Sequence, residues 1–183
     1  MNETSLQLRT DQCPPGLGDG SIGLIIVDHG SRREASNLGL LDIVQQFRLA
    51  TGFTNVEAAH MELAEPSIAS AFAKVVARGA TTVVIHPYFL LPGRHWETDI
   101  PRLAADAARH HPHVRYLVTS PLGIHPLMHQ IILDRIAYCW QHAQTLVDEC
   151  DVCRGSGRCV LSPAGQSDQG NASDGRDAGE HGD

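Results

Sequence analysis

Apolar, strand-like segments alternate with longer amphipathic segments through the middle of the chain. The segment Ile22–Val27 is apolar and rich in β-branched residues without polar alternation, which is typical of a strand covered on both faces. The segment Pro66–Arg78 begins with proline and is followed by Gly79, which is the asymmetry expected of a helix. The predicted strands cover residues 22–27, 56–63, 81–85 and 114–118. The predicted helices cover residues 33–50, 66–78, 101–111 and 126–147.

Strand and helix therefore alternate four times, and this order predicts an α/β fold with right-handed crossovers. We expect a doubly wound, four-stranded parallel sheet with helices on both faces. The end of the chain contains almost no side chains that can be buried. We assign residues 1–20 to a flexible N-terminus, 21–147 to the folded domain, 148–161 to a cysteine-rich segment that binds a metal or a cluster, and 162–183 to a disordered acidic tail.

The charge of the chain is concentrated at its two ends. The formal net charge of −7 divides into −2 for residues 1–20, −4 for residues 162–183 and −1 for the region between them. Nucleic-acid binding is not expected, because the middle region has no basic patch that could neutralise phosphates. Of the 14 basic residues only Lys74 is a lysine, and an excess of arginine favours bidentate recognition of carboxylates or phosphates.

The sequence shows no sign of a membrane span or of secretion. No segment approaches the roughly 18 consecutive apolar residues that a span requires. The first residues lack the basic start and apolar run of a secretory signal. We therefore expect a cytoplasmic protein, in which cysteines bind metals or take part in redox chemistry before they form disulfides.

Polar side chains follow the predicted strands at the edge where a parallel sheet binds ligands. His29 follows the first strand, Glu62 lies at the end of the second, and His95 lies in the segment after the third. Neutral imidazoles and carboxylates bind divalent iron, cobalt, nickel or zinc, and imidazoles also accept protons near neutral pH. The sequence therefore predicts a site that handles a metal and removes protons.

Three motifs at these strand ends closely resemble those of the small sirohydrochlorin chelatases. They are DHGSR at residues 28–32, MELAEPSI at 61–68 and PYFLLPGRH at 87–95, which is followed by DIP at 99–101. The resemblance covers about residues 22–140 and all motifs occur in the right order. It implies the chelatase-like α/β fold and insertion of Fe²⁺, Co²⁺ or Ni²⁺ into a tetrapyrrole. Because larger relatives contain two such halves in one chain, it also implies that this single half forms a homodimer.

The resemblance also implies roles for individual residues. His29 and His95 correspond to the family's metal-binding, catalytic histidines, and Glu62 corresponds to an acidic residue that supports proton or metal transfer. The family often has a small residue before the first histidine, whereas this chain has Asp28, which we expect to orient the His29 ring as a hydrogen-bond acceptor. Metal insertion displaces two pyrrole N–H protons, and an imidazole can accept them while holding the metal weakly.

The implied substrate, sirohydrochlorin, is rich in carboxylates, which arginine recognises well. We expect four arginines to bind it: Arg32, Arg33, Arg94 and Arg102. The function favoured at this point is insertion of Fe²⁺ into sirohydrochlorin to give siroheme, with release of two protons. One alternative is cobalt insertion into the same ring toward cobalamin, and another is a metal-binding carrier or sensor without turnover.

Four cysteines lie near the end of the chain in the spacing C-x10-C-x2-C-x5-C: Cys139, Cys150, Cys153 and Cys159. Four thiolates can hold one zinc ion or one [2Fe–2S] cluster. The chain resembles plant and cyanobacterial sirohydrochlorin ferrochelatases in this cysteine-rich end, which in plants holds an iron–sulfur cluster. The resemblance therefore favours [2Fe–2S] over zinc and over unligated or redox-switching thiols. Cys139 lies on the predicted last helix and can instead belong to the core.

Other polar residues near the strand ends have structural interpretations. Glu65 is expected to cap the second helix, and capping is also the alternative interpretation of Glu62. His60 and His86 are expected to be hydrogen-bonded structural histidines. Trp96 either stacks on the macrocycle or forms a wall of its pocket.

Overall fold

The structure, a computed structural model, describes residues 20–145 and residue 161. Strands and α-helices alternate along this part of the chain, and one π-helical turn directly precedes the third α-helix. The strands are β1 (Ile22–Asp28), β2 (Val56–His60), β3 (Thr82–Pro87) and β4 (Arg115–Val118). The α-helices are α1 (Glu34–Thr51), α2 (Ile68–Ala77), α3 (Ile100–Ala108) and α4 (Met128–Thr145), and the π-helical turn spans His95–Asp99.

The strands form one parallel sheet in the order β2-β1-β3-β4. This confirms the predicted four-stranded, doubly wound sheet. β1 lies at the centre, where Ile26 is opposite Ala58 of β2 and His86 of β3. From β1 the chain adds β2 on one side of the sheet, and from β3 it later adds β4 on the other side. The direction in which strands are added therefore reverses between β1 and β3. Sheets of this kind bind ligands at the carboxyl ends of the strands beside such a reversal.

The two faces of the sheet are covered by different helices, which confirms the prediction that helices lie on both faces. Alternate residues of β1 point to opposite faces. Leu24 and Ile26 pack against Leu40 and Val44 of α1, in a cluster completed by residues of β2. The opposite face packs against α2 and α3 in a larger cluster that contains Ile25, Val27, Ile68, Phe72, Val75, Val83, Ile85, Ile100 and Ala104.

Two predicted boundaries differ from the structure for local reasons. β2 ends at His60 and not at residue 63, because the chain turns at Leu63, whose φ is +66°. The helix α2 begins at Ile68 and not at Pro66, because Ser67 has an extended backbone and its side chain accepts a hydrogen bond from the Ser70 N–H. Ser67 is therefore the N-cap of this helix.

The chain divides into two compact units after His125. The first unit contains the sheet with α1, α2 and α3. The second begins at Pro126 and contains α4, an 18-residue helix. Among the described residues, no helix combines the length and the apolarity needed to cross a membrane. The predicted segments 1–20, 148–161 and 162–183 lie almost entirely outside the described residues, so those assignments stay predictions.

A substitution at Phe72 tests how much the larger core cluster contributes to stability. Phe72 is fully buried between α2 and the sheet. We expect Phe72→Ala to lower the free energy of unfolding by about 3–5 kcal/mol, because it removes apolar contacts and leaves a cavity. Leu49→Ala is the matched control, since Leu49 lies on α1 and is largely exposed. Urea unfolding of both variants measures the difference, and equal stabilities would contradict this packing.

Candidate active site

The ends of β1 and β2 stay hydrogen-bonded beyond the last residue of β2. The Met61 N–H donates to the Asp28 carbonyl oxygen at 2.8 Å, and the Glu62 N–H donates to the His29 carbonyl oxygen at 3.1 Å. This backbone pairing places the Glu62 side chain beside the His29 ring, with Oε1 of Glu62 3.0 Å from Nε2 of His29. Two of the three residues predicted to do chemistry are thus brought together by the sheet itself.

His95 reaches the same place from the segment that follows β3. It begins the π-helical turn, and its ring lies edge-on to that of His29, with 5.1 Å between the ring centroids and an interplanar angle of 71°. Both side chains are partly accessible, at 43% for His29 and 46% for His95. The two histidines therefore form a half-exposed pair at the predicted edge of the sheet.

Each of these imidazoles has a hydrogen-bond partner at Nδ1, and each lies beside a carboxylate. Nδ1 of His29 lies 3.0 Å from the Gly30 carbonyl oxygen, which leaves Nε2 facing Glu62. Nδ1 of His95 lies 2.8 Å from Oδ2 of Asp99, one helical turn later. The sequence analysis named Asp99 within the DIP motif but gave it no role, although its i,i+4 spacing from His95 was a signal that it could reach the ring. Partners of this kind orient an imidazole for metal binding or proton transfer.

The turn after β1 requires glycine at position 30. Gly30 has a φ of +85°, and a Cβ atom added there would lie 1.9 Å from the Glu62 carbonyl oxygen. Only a residue without a side chain allows this close approach of the two backbones. The contact between His29 and Glu62 therefore depends on this glycine.

The predicted role of Asp28 is wrong. Its carboxylate is not the hydrogen-bond acceptor of the His29 ring; it lies 2.6 Å from Nδ1 of His60 and also accepts the Gly30 N–H at 2.9 Å. His60 is buried and lies opposite Asp28 on the neighbouring strand β2. The Asp28 carboxylate therefore pairs with the His60 ring and not with the His29 ring. The prediction that His60 is a hydrogen-bonded structural histidine is confirmed by the same contact.

The segment that carries His95 is anchored to the end of β4. The Trp96 Nε1–H donates to the Thr119 carbonyl oxygen at 2.8 Å, so the indole ties the π-helical turn to that strand. Oγ1 of Thr119 lies 2.8 Å from Nδ1 of His86 on β3. This confirms His86 as a hydrogen-bonded structural histidine. Burial lowers the pKa of His86 below its ordinary value of 6.5, because the protonated ring is poorly solvated there.

The two glutamates of the second motif have different partners. Glu65 accepts hydrogen bonds from the Ser70 hydroxyl and the Ser67 N–H, both at 2.7 Å. The N-cap of α2 is Ser67, so the prediction that Glu65 caps this helix is wrong, and Glu65 instead supports the capping residue. These bonds, that of Ser70 first, hold the pKa of Glu65 below its ordinary value of 4.5. Glu62 takes no part in this cap, because its carboxylate faces His29.

The four predicted substrate-binding arginines are all exposed, and they lie on three segments. Arg32 and Arg33 directly precede α1, and Arg94 directly precedes His95. Arg102 lies on α3, where its guanidinium is 3.6 Å from Asp106 of the same helix. The guanidinium of Arg102 therefore already has a carboxylate partner, Asp106, on the same helix.

The loops that present the site also carry exposed apolar side chains. Leu63 follows Glu62, and Leu90 and Leu91 lie between β3 and the π-helical turn. Exposed leucines close to polar groups are typical of a binding surface for a ligand with an apolar face. The sequence analysis did not single them out, because exposure cannot be read from residue type.

The cysteine site can be described only in part. Cys139 lies on α4 and is exposed, whereas Cys150, Cys153 and Cys159 lie outside the described residues. Within residues 20–145 and at residue 161, no three His, Cys, Asp or Glu side chains come together as a potential metal centre. The cysteine cluster therefore stays a prediction.

The fold and the histidine pair define the class of protein, and the comparison with known families agrees. The sheet order and the paired histidines at its edge are those expected of a chelatase-like α/β protein. The model of the CbiX family matches residues 23–139, so this chain belongs to the CbiX family.

Two curated relatives illustrate the range of the family. The chloroplastic sirohydrochlorin ferrochelatase of Arabidopsis thaliana is 53% identical over 146 residues, which cover 80% of this chain and 64% of that protein. The sirohydrochlorin cobaltochelatase of Methanococcus maripaludis is 36% identical over 80 residues, which cover 44% of this chain and 56% of that protein. The matched part is thus less than two thirds of the length of either relative.

A solved structure shows the same fold. The sirohydrochlorin chelatase SirB from Bacillus subtilis subspecies spizizenii, in complex with cobalt, has a TM-score of 0.58 and is 26% identical. The match covers 66% of this chain and 50% of the SirB chain. The predicted chelatase-like fold is therefore confirmed.

The close approach at Gly30 leads to a test of the turn. We expect Gly30→Ala to lower the free energy of unfolding by about 2 kcal/mol or more, because the new Cβ is strained at positive φ and collides with the Glu62 carbonyl. Gly39→Ala is the control: Gly39 lies inside α1 with nothing within 4 Å of an added Cβ, so the change should stabilise by about 0.5–1 kcal/mol. Thermal unfolding measures both, and a neutral Gly30→Ala would contradict the geometry.

The lowered pKa of His86 predicts a pH-dependent stability. Below pH 6.5 the unfolded chain takes up a proton at this residue more readily than the folded chain does. The stability that neutral His86 contributes is therefore complete above pH 6.5 and is lost as the pH falls through the lower folded pKa. Urea unfolding from pH 8 to pH 5 should show a larger loss for the wild type than for His86→Gln. Parallel pH profiles would contradict the predicted shift.

Proposed function

We propose that this protein inserts Fe²⁺ into sirohydrochlorin to give siroheme, with release of two protons. The observation that carries the proposal is the half-exposed pair of His29 and His95, whose ring centroids are 5.1 Å apart at the edge of the sheet. The 53% identity to the Arabidopsis sirohydrochlorin ferrochelatase supports iron as the metal and sirohydrochlorin as the ring.

The histidine pair suits a metal that must be bound and then released. Imidazole nitrogens bind divalent iron, cobalt and nickel. A site with few protein ligands leaves open positions, at which the ring nitrogens of the macrocycle can replace the protein. His29 and His95 come from different segments and approach edge to face, so both can contact one cation at the surface of the sheet.

Two imidazole–carboxylate pairs are present for two displaced protons. Insertion breaks two pyrrole N–H bonds and forms metal–nitrogen bonds, so two protons leave the ring for each metal that enters. Glu62 lies 3.0 Å from His29, and Asp99 lies 2.8 Å from His95. Each pair places a base at the site, so each pair can take one displaced proton and pass it to solvent. Glu62 thus acts as the proton-accepting partner of His29.

The surroundings of the pair fit a flat, acidic ring. Leu63, Leu90 and Leu91 offer apolar contact for the faces of the macrocycle. Arg32, Arg33 and Arg94 are exposed beside the segments that carry the two histidines and can bind its carboxylates. Arg102 would bind the ring by exchanging its contact with Asp106 for a substrate carboxylate.

Cobalt insertion is the second candidate function. It is supported by the Methanococcus cobaltochelatase and by the structure of SirB in complex with cobalt. The same histidine pair serves both metals, because imidazole selects weakly between neighbouring divalent ions and the available metal decides. A carrier or sensor without turnover would use the same ligands but leave the macrocycle unchanged.

Three further assignments belong to the proposal. The chain covers only 50% of the SirB chain that it matches, which supports a homodimer as the counterpart of a longer, two-part relative. The [2Fe–2S] cluster at Cys139, Cys150, Cys153 and Cys159 rests on their spacing and on the resemblance alone. The cytoplasmic location stays a prediction, and the Arabidopsis relative is named as chloroplastic.

Metal insertion by a His95 variant tests the proposal directly. The purified protein is incubated without oxygen with sirohydrochlorin and Fe²⁺, Co²⁺ or Ni²⁺ in turn, and the absorbance change of the macrocycle gives the rate. We expect His95→Ala to fold normally, because the side chain is half-exposed, and to lose about 100-fold or more in kcat. His113→Ala is the matched control, since His113 is exposed in the turn before β4 at the opposite end of the sheet.

The outcomes separate the candidate functions. Fastest insertion of Fe²⁺ supports the proposal, whereas insertion of Co²⁺ alone supports the second candidate. Binding of the metals without any change in the macrocycle spectrum would identify a carrier or sensor. Near-wild-type turnover by His95→Ala would remove this residue from the mechanism.

A further inference from the structure

A third imidazole–carboxylate pair lies beside the site, and its imidazole is almost entirely buried. His60 is 1% exposed, and its Nδ1 lies 2.6 Å from Oδ1 of Asp28, whose side chain is 25% exposed. The other ring nitrogen, Nε2, has no hydrogen-bond partner among the described residues. This pair therefore differs from the half-exposed pairs that contain His29 and His95, because solvent and substrate do not reach its ring.

One oxygen atom of Asp28 connects this buried ring to the turn that carries His29. Oδ1 of Asp28 accepts the contact from His60 and also accepts the Gly30 N–H at 2.9 Å. The Cβ of His60 lies 3.1 Å from the position that a Cβ on Gly30 would occupy, so the His60 side chain begins close to the turn. The backbone of His29 is thus held on both sides, at Asp28 and at Gly30.

We propose that Asp28 and His60 form a positioning pair that fixes the His29 ring relative to Glu62 and His95. Removal of the Asp28 carboxylate would leave the Gly30 N–H and the His60 ring without their shared acceptor. The turn could then relax toward the open side of the site and carry the His29 ring with it. This inference rests on the proposed function, because it assigns His29 the task of holding the incoming metal.

The geometry of the shared oxygen suggests a conservative and a disruptive change at position 28. Asp28→Asn keeps an oxygen at the place of Oδ1, so it can still accept both hydrogen bonds. Asp28→Ala removes the acceptor altogether. We expect Asp28→Ala to lower kcat by about 10- to 100-fold and to weaken the binding of Co²⁺ alone, because a small displacement of a reacting group is costly. The KM for sirohydrochlorin should stay close to that of the wild type, since the proposal gives Asp28 and His60 no contact with the macrocycle.

Two amide substitutions at position 60 separate the two nitrogens of the imidazole. The side-chain nitrogen of Asn is two bonds from Cβ, as Nδ1 is, whereas that of Gln is three bonds from Cβ, as Nε2 is. His60→Asn can therefore still donate to Asp28, and His60→Gln places its amide where the native ring has no protein partner. We expect His60→Asn to restore most of the kcat and Co²⁺ affinity that His60→Gln loses.

Asn55→Ala controls for a general loss of stability. Asn55 is buried at the opposite end of β2, where its Nδ2 donates to the Val75 carbonyl oxygen. This variant should unfold at lower urea concentration but keep the kcat and Co²⁺ affinity of the wild type. Comparing it with Asp28→Ala at a temperature where both are folded distinguishes positioning from stability.

The results for Co²⁺ and for metal insertion distinguish two kinds of failure. If the wild type inserts no metal, the proposed function fails, and Co²⁺ affinity alone still tests the positioning pair. If the wild type is active and Asp28→Ala matches Asn55→Ala in kcat and Co²⁺ affinity, the positioning pair is overturned. Equal effects of His60→Asn and His60→Gln would also overturn it, because the contact through Nδ1 would then carry no function.

Discussion

The backbone pairing that continues from β1 to the end of β2 is the constraint on which the site depends. It brings the carbonyl oxygens of Asp28 and His29 to the N–H groups of Met61 and Glu62, and it requires glycine at position 30. Strand pairing is set by the buried apolar residues of the sheet, so the same core that stabilises the fold also sets the distance between the reacting side chains. Rigid elements place such groups more accurately than loops alone.

Burial separates three chemically similar imidazole–carboxylate pairs into two kinds. The pairs of His29 with Glu62 and of His95 with Asp99 are open to solvent, so a cation can reach them. The ring of His60, which is paired with Asp28, is closed off from solvent, so it contacts only the residues packed around it. The same types of side chain thus lie open at the surface and closed one layer below it.

The curated relatives of this chain are named as chelatases that differ in their metal. The Arabidopsis relative is named for iron and the Methanococcus relative for cobalt. Imidazole ligands bind both ions, so the nitrogen atoms themselves discriminate little. Metal preference must therefore arise from the supply of metal or from features around the pair, and the cysteine-rich end is one region in which such features can lie.

The sequence by itself determined the order of strands and helices, the edge of the sheet at which the candidate site lies, and the choice of His29, His95 and Glu62 as its candidate residues. These features are local, because hydrophobic periodicity and short motifs lie within single segments. Only the tertiary structure decided that Asp28 binds His60, and that Glu62 faces His29 while Glu65 binds Ser67 and Ser70 at the start of α2. It also revealed Asp99 as the partner of His95. A carboxylate can turn to any donor within reach, so its partner depends on distances between segments far apart in sequence, which packing alone establishes.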